Sequence, residues 1–287
     1  MLKMGYNKII IERKLKEFLE EDCPFQDVSS NIIPETAEGS AQIFVKSDGF
    51  ISGLEELKII FEILNVATSF FKNDGDKVKN GEVIVELKGS LRNILLGERV
   101  SLNLLTYMSS ITSTVRGFVK IIEDSGKNIK IACTRKTHPG LRIFEKKATE
   151  LGGGDSHRFS LSDMVLLKDT HLRYYKGNVR KMLEEIKKQS SFTKKIEIEI
   201  EKVNDVIIAA ENGADIIMLD NMSPDMVKKA IDLLKESNLR KNVAVEVSGG
   251  ISFETIKDYL IAEPDIISIG EITQYPSIKM DFSLRFS

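Results

Sequence analysis

"KIEIEIEKVNDVIIAAENGADIIMLDNMSPDMVKKAIDLLKES", residues 195–237, decides the fold, because its apolar residues change period three times. "KIEIEI" (195–200) alternates as a strand does, "VNDVIIAAENG" (203–213) repeats at helical spacing, "ADIIML" (214–219) is a short β-rich run, and "SPDMVKKAIDLLKES" (223–237) is helical again. The boundaries carry their own chemistry. Gly213 stands where a helix ends in a left-handed residue, and Ser223-Pro224 supplies a capping hydroxyl followed by a first-turn proline. Strands separated by whole helices cannot form hairpins, so the pattern predicts a parallel sheet covered by helices.

The same rhythm continues in both directions. "IKIAC" (129–133), "DMVLLK" (163–168), "NVAVEV" (242–247) and "DIISIG" (265–270) add strands, and "GLRIFEKKATEL" (140–151), "NVRKMLEEIKKQ" (178–189) and "SFETIKDYLIAE" (252–263) add helices. A closed (β/α) barrel and an open doubly wound sheet satisfy this periodicity equally. The first hundred residues read differently: a helix near 9–20, β-like "SAQIFVKSDGFISG" (40–53), a helix "LEELKIIFEIL" (54–64) and turn-rich "VATSFFKNDGDKVKNGEVIVELKGS" (66–90). That is an α+β pattern and predicts a separate, smaller lobe. Its "NDGDKVKNGEVIVELKG" has the rhythm of a lipoyl or biotinyl carrier hairpin but no Met-Lys-Met at the turn, so it reads as a plain hairpin. "ILLGERVSLNLLTYMSSITSTVRGFVKIIED" (94–124) is one long helical segment joining the lobes.

Composition narrows the function. At 287 residues and 42% hydrophobic content the chain can bury a large core, and 41 basic against 43 acidic residues offer no bulk attraction to nucleic acid or an anionic membrane. Cys23 and Cys133 make neither a disulfide framework nor a zinc knuckle, which fits a reducing, cytoplasmic setting. The start of the chain reads as neither a secretory leader nor a membrane span.

Chemistry concentrates where the barrel strands end. Thr134-Arg135-Lys136 follows "IKIAC", the next turn carries Gly152-Gly153-Gly154 with His157 and Arg158, and Lys168-Asp169 follows "MVLL". Glu199 lies in "IEIEI", Asp220-Asn221 ends "IIML", Ser248-Gly249-Gly250 ends "VAVEV", and Gly270 ends "IISI". Carboxyl ends of parallel strands surround the ligand crevice, so these groups are predicted to converge. An ammonium at the end of a buried strand costs several kcal/mol unless paired, which singles out Lys168. Arg135, Lys136, Arg158 and Lys168 against Glu199 and Asp220 predict a pocket of about +2 that selects a polyanion. Glu197, Glu199 and Glu201 are also readable as the solvated face of one alternating strand. "SGGI" suits a phosphate cradle, since small residues let backbone N–H groups approach phosphate oxygens. His138, His157 and His171 fall in one window, but their spacing and cationic neighbours argue against zinc. Neither a P-loop nor a dinucleotide fingerprint is present.

Together "TRKTHPGLR", "GGGDSHR", "LLKDTH", "IEIEIE", "GADIIMLDN" and "VEVSGGI" resemble the quinolinate phosphoribosyltransferase family, over about residues 94–285. The resemblance implies an α/β fold: an incomplete (β/α) barrel over 109–275 and an N-terminal α+β sandwich over 1–108 that is completed by the returning C-terminal strand, 276–287. It implies transfer of phosphoribosyl from phosphoribosyl pyrophosphate (PRPP) to quinolinate with decarboxylation, in NAD biosynthesis, with Mg²⁺ carried on the pyrophosphate. By position, Arg135, His157, Arg158 and Lys168 would bind the quinolinate carboxylates and Lys136 would face PRPP. Glu199 and Asp220 would serve the ribose hydroxyls and the metal, and Ser248, Gly249, Gly250 and Gly270 the 5′-phosphate. Lys136, Lys168, Glu199 and Asp220 would be the catalytic set. Arg99, in "GERVSLN", would reach a neighbouring subunit's site, implying a homodimer or a higher oligomer such as a hexamer. Ser156 and Thr170 replace asparagines common in the family, and His138 replaces a threonine. Those changes leave two alternatives: a paralogue that uses another acceptor, as in a molybdenum-transport-associated group sharing "TRKTxPG", and a non-catalytic phosphometabolite binder. The Lys-Asp-x-His run favours the quinolinate enzyme. A Schiff-base aldolase using Lys168 fits the surrounding cations poorly.

Overall fold

A computed structural model describes residues 6–286, which divide into two compact units. The first takes the described residues of Met1–Arg116, His138–Gly153 and Tyr275–Ser287; the second takes Gly117–Thr137 and Gly154–Gln274.

In the first unit, α1 (Lys8–Asp22) is followed by β1 (Glu38–Val45), β2 (Gly49–Phe50), α2 (Leu54–Ile63), β3 (Ala67–Phe70), β4 (Lys77–Val78) and β5 (Val83–Ser90). The helix α3 (Leu91–Ser125) follows directly. Alternation in β1 sends Ala41, Ile43 and Val45 to one face, where they meet Leu57 and Phe61 of α2, Val85 and Leu87 of β5, and Leu105 of α3. Helices on one face of an antiparallel sheet are the α+β arrangement read from the sequence. The C-terminal strand, Phe282–Phe286, returns to pair antiparallel with β1, Ala41 opposite Phe286 and Val45 opposite Phe282. Counted in chain order it is β12, and the sheet order is β12-β1-β5-β3, with β2 and β4 forming a small ribbon. The expected completion of the sandwich by the chain terminus is therefore present.

The second unit holds β6 (Lys130–Cys133), β7 (Val165–Leu167), β8 (Ile196–Ile200), β9 (Ile216–Asp220), β10 (Ala244–Ser248) and β11 (Ile266–Ile269). All pair in parallel in the order β6-β11-β10-β9-β8-β7, so β6 and β7 are edges and the barrel is incomplete. Ile198, Ile200, Ile217, Leu219, Val245, Val247, Ile267 and Ile269 are buried on one face. The connecting helices are α5 (Asp169–Tyr174), α6 (Val179–Gln189), α7 (Asp205–Glu211), α8 (Pro224–Glu236), α9 (Ile256–Tyr259) and α10 (Glu271–Gln274). Ser223 caps α8 through its side chain, as its sequence indicated.

The helix after β6, α4 (Arg142–Leu151), departs from the simple strand–helix alternation, because it belongs to the first unit. Its polar residues explain why. Lys147 is buried, with Nζ 2.5 Å from Glu55 and 2.7 Å from Glu56 of α2, and Glu56 is fully buried. Thr112 of α3 donates to the Ala148 carbonyl at 2.9 Å, and a Cβ on Gly152 would stand 2.8 Å from the Thr112 carbonyl oxygen. Burial raises the pKa of Glu56, and the Lys147 ammonium opposes that rise. Removing one member of such a pair strands the other, at a cost of about 3–5 kcal/mol. Lys147→Met should therefore lower unfolding free energy by about 3 kcal/mol, and adding Glu56→Gln should restore much of it. Denaturant titration of the three proteins checks this.

Candidate active site

The inner face of the parallel sheet is polar. Residues of opposite parity to the buried aliphatics line one cavity of about 560 Å³: Leu166 of β7, Glu199 of β8, Met218 and Asp220 of β9, Glu246 and Ser248 of β10, and Ser268 of β11. Loops after the strands add Arg135, Lys136, His157, Arg158, Lys168, Gly249 and Gly250. The sequence-predicted residues thus converge, with two exceptions. Gly270 lies beneath Lys136, whose Cδ would be 3.1 Å from a Cβ placed there. Arg99 sits on α3 in the first unit, with its side chain 61% exposed.

Each group is held for a local reason. Lys168 stands at the N-cap of α5, and its backbone N–H donates to His171 Nδ1 at 2.9 Å. Its Nζ lies 2.6 Å from Glu199 Oε1, so the ammonium is paired as expected, but β7 is an only partly buried edge strand and the Lys168 side chain is 46% exposed, which corrects the premise of a buried strand end. Thr273 donates to the Lys136 carbonyl at 2.8 Å, tying the loop after β6 to α10, which follows β11. The backbone N–H of Asn221 donates to the Ser248 carbonyl at 2.9 Å, and Asn221 Nδ2 donates to Asp220 Oδ2 at 2.7 Å. Gly249 (φ 99°) and Gly250 (φ 62°) form a left-handed turn, and a Cβ on Gly249 would collide with the Asn221 side chain. A turn of this kind leaves backbone N–H groups open to an anion.

The glycines before His157 do something else. Gly153 (φ 88°) turns the chain out of α4, and Asp155 then joins the edge of β6: its N–H donates to Ile131 O at 2.7 Å and its carbonyl accepts from Cys133 N at 3.1 Å. Asp155 Oδ1 accepts the His157 N–H at 2.7 Å, and His157 takes a left-handed conformation with φ 52°. The imidazole is turned inward, with Nε2 3.0 Å from Glu246 Oε2 and 3.5 Å from Glu197 Oε2. Both glutamates are fully buried, so Glu197 is not on a solvated strand face. Burial and the Glu246 carboxylate push Glu197 up to about 8, while His157 and Arg158 oppose the rise. Burial and the neighbouring Arg135 guanidinium lower the pKa of Arg158, whose guanidinium nevertheless stays charged at any ordinary pH.

The charge expected from the sequence left out Glu246, Glu201 and Asp169, which also line the cavity. Their presence corrects the expected charge of about +2, because four fixed cations face five carboxylates. What matters is how the charge is distributed. An adjoining recess of about 410 Å³ is lined by Arg135, Arg158, Lys168 and Lys194, with Leu161, Met164 and Leu166 as apolar walls and no carboxylate. Asp220 stands opposite Ser248 in the β9–β10 pair, beside the Ser248-Gly249-Gly250 turn, and Glu199 is held by Lys168 at the border of the recess. The site therefore joins a cationic, apolar-walled recess to a cavity that holds the carboxylates. His138 lies in the first unit, 2.7 Å from Tyr107 Oη and 2.9 Å from Glu145, so the three histidines serve three different networks.

Comparison with known proteins gives one answer. Residues 27–109 match the family model for the N-terminal domain of quinolinate phosphoribosyl transferase, and 111–285 match the C-terminal domain. The chain is 42% identical to a probable nicotinate-nucleotide pyrophosphorylase [carboxylating] of Archaeoglobus fulgidus, over 91% of this chain and 98% of the relative. It is 34% identical to the human nicotinate-nucleotide pyrophosphorylase [carboxylating], over 93% and 89%. The crystal structure of NadC from Streptococcus pyogenes superposes with a TM-score of 0.90 at 35% identity, over 99% and 100% of the two chains. No described helix is long and apolar enough to cross a membrane. This chain belongs to the quinolinate phosphoribosyltransferase family.

Proposed function

We propose that this chain transfers the phosphoribosyl group of PRPP to the ring nitrogen of quinolinate with loss of carbon dioxide, giving nicotinate mononucleotide and pyrophosphate. One observation carries the reading: a cationic, apolar-walled recess without carboxylates adjoins a cavity lined by carboxylates and a left-handed Gly-Gly turn. A planar ring with two adjacent carboxylates fits the recess, and a phosphorylated sugar fits the cavity. The relatives named above are nicotinate-nucleotide pyrophosphorylases [carboxylating].

On this reading Arg135, Arg158, Lys168 and His157 hold the acceptor's carboxylates. Lys136 faces the diphosphate of PRPP, and the Ser248-Gly249-Gly250 turn, with Gly270 making room for Lys136, receives the 5′-phosphate. The bond from the ring nitrogen to the ribose anomeric carbon forms as the bond to pyrophosphate breaks, and positive charge grows on the sugar. Glu199 and Asp220 are placed to stabilise that charge and to accept from ribose hydroxyls. The ribosylated ring nitrogen is then cationic and stabilises the electron pair left on the adjacent ring carbon as its carboxylate departs as carbon dioxide, and a proton then takes up that pair. No protein nucleophile is required, so the residues act by orientation and charge.

Mg²⁺ suits these carboxylates. Lys168 occupies one oxygen of Glu199 and Asn221 one oxygen of Asp220, leaving the other oxygen of each for a metal that takes only one or two carboxylates plus substrate phosphates and water. Bound with PRPP, Mg²⁺ would neutralise the departing pyrophosphate. Arg99 is assigned to a partner's site, making the working form a homodimer or higher oligomer, and Cys23 and Cys133, which are not joined in a disulfide, suit the cytoplasm.

Incubation with PRPP, Mg²⁺ and quinolinate should release pyrophosphate and carbon dioxide in equal amounts. Turnover only with another heterocycle, or binding of PRPP without product, would replace this reading. Arg135→Ala and Lys168→Ala should each lower kcat/KM by about 10²-fold or more, since each removes charge-assisted hydrogen bonds worth roughly 1.5–3 kcal/mol apiece. Near-normal kinetics would show that the acceptor binds elsewhere. Gly249→Ala should raise KM for PRPP while leaving KM for quinolinate nearly unchanged, because only the phosphate turn is distorted.

A further inference from the structure

Glu246 has no part in the chemistry assigned above, yet it is fully buried in the middle of β10 and faces the reaction cavity. Its Oε2 lies 3.0 Å from His157 Nε2, and its Oε1 accepts no hydrogen bond; neither oxygen of the equally buried Glu197 accepts one. Two buried carboxyl groups are costly unless a positive group compensates them. The chain in turn strains itself to bring the imidazole there. A left-handed φ at a non-glycine residue costs about 1 kcal/mol or more and persists only where its surroundings impose it. Here they do, through Asp155, which is paired to β6 and accepts the His157 N–H.

The hydrogen-bond inventory of imidazole completes the argument. A ring that gives its Nε2–H to Glu246 can offer a second N–H only as imidazolium, because the neutral ring has a single donor. A carboxylate at 3.0 Å favours that charged form. The charged groups set about the ring are Glu246 from β10 and Glu197 from β8, with Asp155 and Arg158 beside it on its own segment.

We propose that Glu246 is a positioning residue that anchors His157 by Nε2 and keeps its ring charged, so that the ring joins Arg135 and Arg158 in reading the carboxylates of the acceptor. The inference rests on the acceptor assignment made above. It adds that recognition of the second carboxylate is set from inside the barrel, through the histidine and not by surface cations alone.

The test is a double-mutant cycle on the full chain, read by calorimetric binding of benzene-1,2-dicarboxylate, a ring with two adjacent carboxylates and no reactive nitrogen. Glu246→Gln keeps the size of the side chain and removes its charge. That variant and His157→Gln should each weaken binding about tenfold, and the double variant should bind no worse than either single one. Glu246→Asp should recover part of the loss. In kinetics, Glu246→Gln should raise KM for quinolinate and leave KM for PRPP within twofold. Unchanged binding in Glu246→Gln, or losses that add in the double variant, would overturn the proposal. So would a stoichiometric divalent metal in the purified chain, held by His157, Glu197 and Glu246. If quinolinate is not turned over but the cycle shows the predicted coupling, the acceptor reading fails while the role of Glu246 stands.

Discussion

Three carboxyl groups on the inner face of one parallel sheet, Glu197, Glu199 and Glu246, must be neutralised without burying the site in its own ion pairs. The structure meets this constraint with groups that also face the cavity: Lys168 with Glu199, and His157 with Glu246 and Glu197. A sheet buried on both faces normally carries aliphatic residues throughout. Here the strands fill one face with Ile, Val and Leu, while the other mixes acids, a serine pair and a methionine with Leu166, Ile216 and Ile266. The polarity of that inner face makes the barrel a reaction chamber, and it also makes the cations indispensable before any substrate arrives.

On the proposed reaction Lys168, held by Glu199, would gain a second partner of the same sign from an anionic acceptor in the recess. Arg135 and Arg158 also line that recess, which carries no carboxylate, and would be available to the same acceptor. Charge distributed unevenly in this way would distinguish two anionic substrates better than a uniformly positive pocket.

Much of this was legible in the sequence. Each barrel strand lies within two residues of its expected bounds, and the strand-end rule brought Arg135, Lys136, Lys168, Asp220 and Ser248 together. The two glycine runs differ in the structure: Gly249-Gly250 is a left-handed turn, and Gly152-Gly153-Gly154 leads Asp155 onto β6 so that His157 points inward. What stayed hidden was parity and partnership. "VAVEV" and "IEIEI" show that glutamates alternate with aliphatics, but alternation does not say whether the second face meets water or a cavity, and Glu246 passed as part of a strand. The signal that could have found it is a single charged residue set between Val243-Ala244-Val245 and Val247 in a run that is otherwise apolar up to Ser248. For α4, helical period revealed the helix but not that Lys147 would be claimed by Glu55 and Glu56, which lie far away in the chain.

The central claim is that the cationic recess recognises a ring bearing two carboxylates. Calorimetric titration of the full chain with quinolinate and, separately, with nicotinate tests it most directly, since the two ligands differ by one carboxylate. Quinolinate should bind at least about tenfold more tightly, as expected for one extra charge-assisted hydrogen bond or more, and the difference should shrink as salt is added. Equal affinities for the two rings would contradict the account.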